Sequence, residues 1–257
     1  VPYLKNKLIE YGNEQGWANL DSFQGTGTIS RAENGLPFPF FYGYKTAGII
    51  QNAAEADAYN SAYETSMPKA VPGDVRFVDV NGDGIINEDD RTNIGKGMPD
   101  WTYGFNLGAQ WRGLAISAFF QGTIGNQVYD ATRRTDALAS NHPSWMLGRW
   151  TGEGTSNRIP RFVRADSRNW QSSDLLVYDG DYFRLKNLTV SYTLPQKLTR
   201  RVGVQNFRVY LAGENLFTCT KYHGFDPEIS SGGTSLGIDY GVYPQARVYT
   251  VGFNIQF

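Results

Sequence analysis

Sulfur, histidine and long apolar runs are all scarce in this chain. The single cysteine, Cys219, cannot close an internal disulfide, and neither His142 nor His223 has a Cys or second His near enough to build a zinc set. In Phe217-Thr218-Cys219-Thr220 the thiol reads as a plain strand residue. No apolar run approaches the ~20 residues of a membrane-spanning helix, and the longest, 114–120, is broken by Ser117. That excludes a helical membrane protein but not a barrel, whose strands need only ~10 alternating residues each. Neither sign of charge is in excess: 24 Lys and Arg stand against 25 Asp and Glu, with no basic block, which argues against nucleic acid as a partner. Gly-x-Ser-x-Gly, a phosphate loop and a dinucleotide fingerprint are all missing. Asp179 and Asp181 flank Gly180, but carboxylates this close at a strand start face solvent more often than they converge on a glycosidic bond. The chain is therefore expected not to be an enzyme. The sequon Asn187-Leu188-Thr189 falls inside an expected strand and is read as incidental. No signal peptide precedes Val1, so the chain is read as a mature start or as a piece of a longer protein.

What is abundant points to β structure. Sixteen Tyr, fifteen Phe and six Trp, with 29 Gly, suit aromatic strands joined by glycine turns better than a helical bundle. The last residues show the pattern most clearly: Tyr249, Val251, Phe253, Ile255 and Phe257 fall on one face, and Val248, Thr250, Gly252, Asn254 and Gln256 on the other. Residues 101–111 repeat it, with Trp101, Tyr103, Phe105, Leu107, Ala109 and Trp111 in phase, and turn back at Arg112-Gly113 into 114–128. Further strands are expected at 24–31, 38–51, 182–194 and 207–217, with an ambiguous one at 1–11 and a short helix at 53–61. That makes about eight strands. Their connections alternate between long and short, as in a membrane barrel with short periplasmic turns and long extracellular loops. Counted back from Phe257, both Arg112-Gly113 and Asn34-Gly35 fall on the periplasmic side. Trp101, Trp111, Tyr192 and Tyr249 sit at strand ends, where an interfacial girdle would lie. Alternation by itself is equally compatible with a soluble, secreted, calcium-stabilised β-sandwich that binds carbohydrate. Trp145, Trp150, Trp170 and Tyr222 could then stack on sugar rings, although loop packing is their expected use.

One stretch carries metal chemistry. Residues 79–90 place Asp79, Asn81 and Asp83 at loop positions 1, 3 and 5 and glycine at 6. The Ile85 carbonyl follows at 7, Asn87 at 9 and Asp90 at 12. This is the spacing that wraps Ca²⁺ in six to eight hard oxygens, with Gly84 making the sharp turn. The ion would be structural, and Asp in place of Glu at the last position, as in dockerin-type loops, lowers affinity or favours Mg²⁺.

Several stretches together resemble one family. Pro72-Gly73-Asp74-Val75-Arg76-Phe77-Val78 leading into the 79–90 loop, Ile94-Gly95, and Pro99-Asp100-Trp101-Thr102-Tyr103-Gly104-Phe105-Asn106 are similar to the C-terminal region of SusC/RagA-type TonB-dependent transporters of the Bacteroidetes outer membrane. So are Gly180-Asp181-Tyr182-Phe183-Arg184-Leu185-Lys186-Asn187-Leu188-Thr189, Gly213-Glu214-Asn215-Leu216-Phe217-Thr218, Gly224-Phe225-Asp226-Pro227-Glu228, and Tyr243-Pro244-Gln245-Ala246-Arg247. The resemblance implies an all-β fold: an antiparallel transmembrane β-barrel segment, one part of a plugged 22-stranded barrel. It implies import of oligosaccharides or peptides across the outer membrane, a SusD-like lipoprotein and TonB as partners, and lipid around the wall. The plug, the TonB box and the N-terminal domain of that family have no counterpart in 1–257. The terminal strand would close the barrel against a first strand outside this sequence, its aromatic end resembling an insertion signal.

Overall fold

The computed structural model describes residues 2–23, 27–132, 142, 144–163, 166–229 and 231–257. Its largest sheet contains five strands: β1 (Trp101–Trp111), β2 (Leu114–Ile124), β3 (Tyr182–Thr193), β4 (Asn206–Thr220) and β5 (Val248–Gln256). They lie side by side in chain order, all antiparallel. Register fixes the two faces. Phe105 opposes Phe120, Leu107 opposes Ala118, and Leu211 opposes Val251, so most apolar residues of the five strands share one side, with Phe119 and Tyr210 on the other. On that side Leu107 is 57% exposed and Val251 74%, and Phe105, Phe120 and Phe183 stack at centroid distances of 5.0 and 5.3 Å. The opposite side carries Asn106, Gln110, Ser117, Thr189, Ser191 and Thr250, and there Arg208 Nη2 donates to Ser191 Oγ at 2.8 Å.

A sandwich would bury its apolar face against a second sheet. Here that face is open along all five strands, so the soluble-sandwich expectation is not met. The architecture is that of a segment of a barrel wall, greasy outside and polar inside. Gly252 serves the inner face: the Tyr210 ring lies across it, so close that a Cβ there would stand 2.3 Å from the ring.

The strand ends divide as the connection lengths require. At one end sits the two-residue turn Arg112-Gly113, both residues at positive φ (47° and 90°), the geometry that suits a twisted hairpin. The 194–205 connection lies beside it, with Thr193 N–H donating to the Gly113 carbonyl at 2.8 Å and Gln205 N–H to that of Gln256 at 2.7 Å. From the other end rise 125–181 and 221–247.

Those long connections join residues 2–100 in a cap that holds the buried core. Short strands Trp17–Asn19, Ser30–Glu33, Phe40–Gly43 and Thr92–Gly95 form one sheet; Val177–Asp179, Gln127–Asp130 and Ile238–Asp239 form another, the last two paired in parallel. One core cluster gathers Tyr44, Ile50, Val75, Phe77 and Ile86 around the helix α1 (Ala53–Ala62). Asn52 caps that helix by accepting from Glu55 N–H at 3.0 Å, and Tyr59 Oη ties it to the Phe77 carbonyl at 3.0 Å. A second cluster gathers Ile29, Phe41, Tyr129, Leu176 and Ile238.

Three expectations change. The wall holds five long strands rather than about eight, because the expected strands at 24–31 and 38–51 belong to the cap; residues 24–26 lie outside the described residues. Phe40, Phe41, Tyr42 and Gly43 are all buried. Consecutive aromatics with both faces covered suit an interior strand, whereas a lipid-facing strand leaves every second residue open. The Asn34-Gly35 turn lies in that cap, away from the short-turn end, since its hairpin packs on residues such as Tyr129 and Ser172 from the long connections. Residues 2–11 form no strand; Tyr3 bridges Trp101, and Leu8 exchanges backbone hydrogen bonds with Gly35 and Leu36.

Candidate functional site

The 79–90 loop is one compact turn organised by its own acceptors. Asp79 takes the amides of Gly82 at 2.6 Å and Gly84 at 2.9 Å, Asn81 takes that of Asp83 at 2.9 Å, and Asp83 takes that of Ile85 at 2.8 Å. Gly82 and Gly84 sit at φ 79° and 80°, which the tight winding requires. Asp90 is fully buried and clasps both ends of the loop, accepting from Val80 N–H at 2.8 Å and from Asn87 N–H at 3.0 Å. Asn87 in turn accepts from Asp89 N–H at 2.7 Å. Ile85 and Ile86 pair in parallel with Glu64 and Thr65, which fastens the loop to the first core cluster through the buried Ile86. All six expected ligand residues therefore belong to one loop. Among the described residues, however, no group of three or more His, Cys, Asp or Glu side chains is arranged to hold a metal ion.

A second constellation joins the wall to the cap, and spacing alone did not mark it. Arg184 on β3 is buried on the inner face and spends each guanidinium nitrogen. Nη2 reaches Asp226 at 2.6 Å, Nη1 reaches Glu228 at 2.7 Å, and Nε donates to Thr218 Oγ1 at 2.9 Å. Lys186 Nζ completes the cluster at 2.7 Å from Glu228. Asp226 also accepts the amides of Glu228 and Gln245, both at 2.9 Å. Two motifs that resembled the family, around Arg184 and around Asp226, thus meet as the anchor of the 221–247 connection. Burial raises the Asp226 carboxyl, but the Gln245 amide and Arg184 outweigh it and hold the group below its ordinary value of 3.8. A carboxyl lowered on folding stabilises above its unfolded value and loses that contribution as pH falls through the folded one. Protease resistance of 221–247 should accordingly be flat with pH above 3.8 and decline below it; a decline already starting near neutrality would contradict this assignment.

The remaining candidates have structural duties. Asp181 accepts from Gly125 N–H at 2.7 Å, and burial pushes its carboxyl up; Asp179 accepts from Asp181 N–H at 3.0 Å and lies 3.5 Å from Lys221. They brace the top of β3 and do not face each other across a cleft. Trp150 donates to Gln51 Oε1 at 3.2 Å and packs on the first core cluster, Trp170 packs on the second, and Trp145 meets Trp170 edge-on at 6.4 Å. Tyr222 is buried with its hydroxyl 2.6 Å from Asp239, and burial followed by that hydrogen bond pushes its ionisation up. His142 packs against Phe162, and His223 against Tyr178. Cys219 lies opposite Phe183 on the apolar face. Residues 133–141, 143, 164 and 165 of the 129–180 segment lie outside the described residues.

No family model matches the chain. Among curated proteins it is 35% identical over 227 residues to TonB-dependent receptor P3 of Formosa agariphila, covering 84% of this chain and 22% of that protein. It is 32% identical to TonB-dependent receptor P26 of the same organism, covering 98% and 26%, and 28% identical to TonB-dependent receptor SusC of Bacteroides thetaiotaomicron, covering 70% and 17%. Among solved structures it superposes on the RagAB peptide importer in its open-open state with a TM-score of 0.71 at 25% identity, covering 98% of this chain and 25% of that one. The chain spans about a quarter of the length of the two Formosa agariphila receptors. These relatives are receptors and transporters, not enzymes. The open wall, the cap tied to it by Arg184, and these likenesses place the chain in the SusC/RagA-type family of TonB-dependent transporters, as a segment of the barrel.

Proposed function

We propose that the parent protein imports a nutrient through the outer membrane under the drive of TonB, and that 1–257 supplies its C-terminal wall and extracellular cap. The observation that carries this reading is the five-stranded wall, apolar and exposed on one face and polar on the other. Among the described residues β5 pairs only with β4, so one row of its backbone groups has no ladder partner there. Unpaired N–H and C=O groups in hydrocarbon cost several kcal/mol each, so another strand of the parent must lie against β5. The cargo is an oligosaccharide or a peptide delivered by a SusD-like surface lipoprotein; the likeness to a peptide importer supports the peptide class.

Uptake of labelled oligosaccharides and peptides by cells expressing the full-length protein tests the proposal, with a strain lacking TonB and a strain lacking the neighbouring lipoprotein as comparisons. Uptake of one class should depend on both. Uptake independent of TonB, or a parent recovered in the soluble fraction without detergent, would overturn it.

The 79–90 loop is proposed to take one Ca²⁺ in a structural role. Asp79, Asn81, Asp83 and Asn87, the Ile85 carbonyl and Asp90 are hard oxygen donors, and the glycine turns already give the loop the winding such an ion needs. The ion would draw together carboxylates now held by backbone amides. Calcium added to the chelated full-length protein should raise its melting temperature, and Asp79→Ala should abolish the shift. No shift in the unmutated protein, and no heat on titration, would remove the metal from the account.

A further inference from the structure

We propose that the short-turn end of the wall is a binding surface for anionic phospholipid headgroups, an inference that rests on the membrane-wall reading above. The two connections at that end, 112–113 and 194–205, contain Arg112, Lys197, Arg200 and Arg201 and no acidic residue. Among the described residues none of the four forms an ion pair: Arg112 lies over the Trp111 ring at 4.9 Å, and Arg200 donates to Gln196 Oε1 at 3.1 Å. Four unpaired positive groups on one rim form a concentrated field that an anionic surface complements.

Apolar side chains accompany them. The 194–205 connection folds into a helical turn, Gln196–Thr199, that runs on into Arg200–Val202. Leu198 and Val202 lie four residues apart and so share a side of it, yet they are 56% and 75% exposed, while Thr199 between them is buried. A leucine and a valine are held out beside Lys197, Arg200 and Arg201. A membrane interface suits this arrangement, because the apolar pair enters the acyl boundary while the basic groups meet phosphate. The surface continues one already described: the Gly113 carbonyl takes the Thr193 amide, so the turns abut β1 and β3 where Trp111 and Tyr192 stand 67% and 44% exposed on the lipid side. Aromatic rings at headgroup depth beside basic residues and an apolar wedge make one continuous interfacial rim.

The test uses the full-length transporter in nonionic detergent, titrated with dioleoyl phosphatidylglycerol or dioleoyl phosphatidylethanolamine and read by native mass spectrometry. A basic residue held near an anionic surface contributes about fivefold in affinity, so two engaged residues give a preference of ~25-fold for phosphatidylglycerol. Substituting Arg112→Asn, Lys197→Gln, Arg200→Gln and Arg201→Gln together should bring the two lipids within about twofold of each other. Leu198→Ser with Val202→Ser should weaken both lipids alike. If the fourfold variant does not assemble, Arg200→Gln with Arg201→Gln carries the same expectation, a preference cut at least ~5-fold. Equal binding of the two lipids to the unmutated protein, or an unchanged preference in the variants, overturns the proposal. So does inorganic phosphate that displaces phosphatidylglycerol at matched concentration, which would make this a free-anion site. Loss of heat-modifiable migration in the unmutated transporter would overturn the membrane wall as well, whereas retained migration without lipid preference overturns this inference alone.

Discussion

Replacing Arg184 by alanine should free the 221–247 connection from the wall at a cost of about 3–5 kcal/mol, the range for breaking a buried ion pair by removing one partner. The side chains of Arg184 and Asp226 are 3% and 4% exposed, so solvent screens little of the loss. Asp226 would remain charged, buried and without its cation, and Glu228 would keep only Lys186. Hydrogen exchange at Gln245, whose amide donates to Asp226, and limited proteolysis within 221–247 report the release directly. Lys186→Met should cost far less, on the order of 1 kcal/mol or below, because that pair is 21% and 26% exposed. Arg184→Met combined with Asp226→Leu should recover only part of the stability: the uncompensated buried charge is gone, but the Glu228 and Gln245 amides lose their acceptor. Unchanged protection of Gln245 in Arg184→Ala would show that the connection is held by other contacts.

The second large effect separates the two faces of the wall. Leu107→Arg in the middle of β1 places a charge on the exposed apolar side and should destabilise the assembled barrel by about 2–4 kcal/mol, the range for Arg at the bilayer midplane. Asn106→Arg, one residue earlier and on the polar side, should be close to neutral. Denaturant unfolding of the full-length protein refolded into bilayers measures both. Equal costs would mean that Leu107 does not face lipid. The experiment also bears on the rejected sandwich, in which an arginine at Leu107 would disturb an inter-sheet core and prevent folding in water.

Much of this was legible from residues alone, for reasons that can be named. The wall strands were legible because a barrel strand meets two solvents, and the period-two pattern in Trp101–Trp111 and in 249–257 records that directly. The Arg112-Gly113 turn was legible because a two-residue hairpin needs positive φ at both positions, which glycine accepts freely and which Arg112 adopts at 47°. The helix α1 was placed within a residue at its end, and the structure adds Asn52 as its cap. The cap sheet was not legible as such: Phe40, Phe41 and Tyr42 show aromatic strand content, and nothing local distinguishes lipid from protein as the medium covering it.

The β class, the two-faced wall, the alternation of long and short connections and the winding of the 79–90 loop were thus encoded locally. Each of these depends on chemistry within a few residues. Which aromatic strands join the wall, and which way Arg184 points, came from contacts between distant segments. On β3, Leu188, Val190 and Tyr192 face outward on even positions, and an unbroken alternation would send Arg184 outward with them. The bulge between Leu185 and Asn187 shifts the phase by one residue, so that Leu185 and Phe183 take the outer face and Arg184 turns inward to Asp226. A bulge is set by how three strands fit together, with Asn215 on β4 accommodating it at φ 53°. A buried cation 42 residues from its partner cannot be inferred from spacing, because only the folded connection brings the two together.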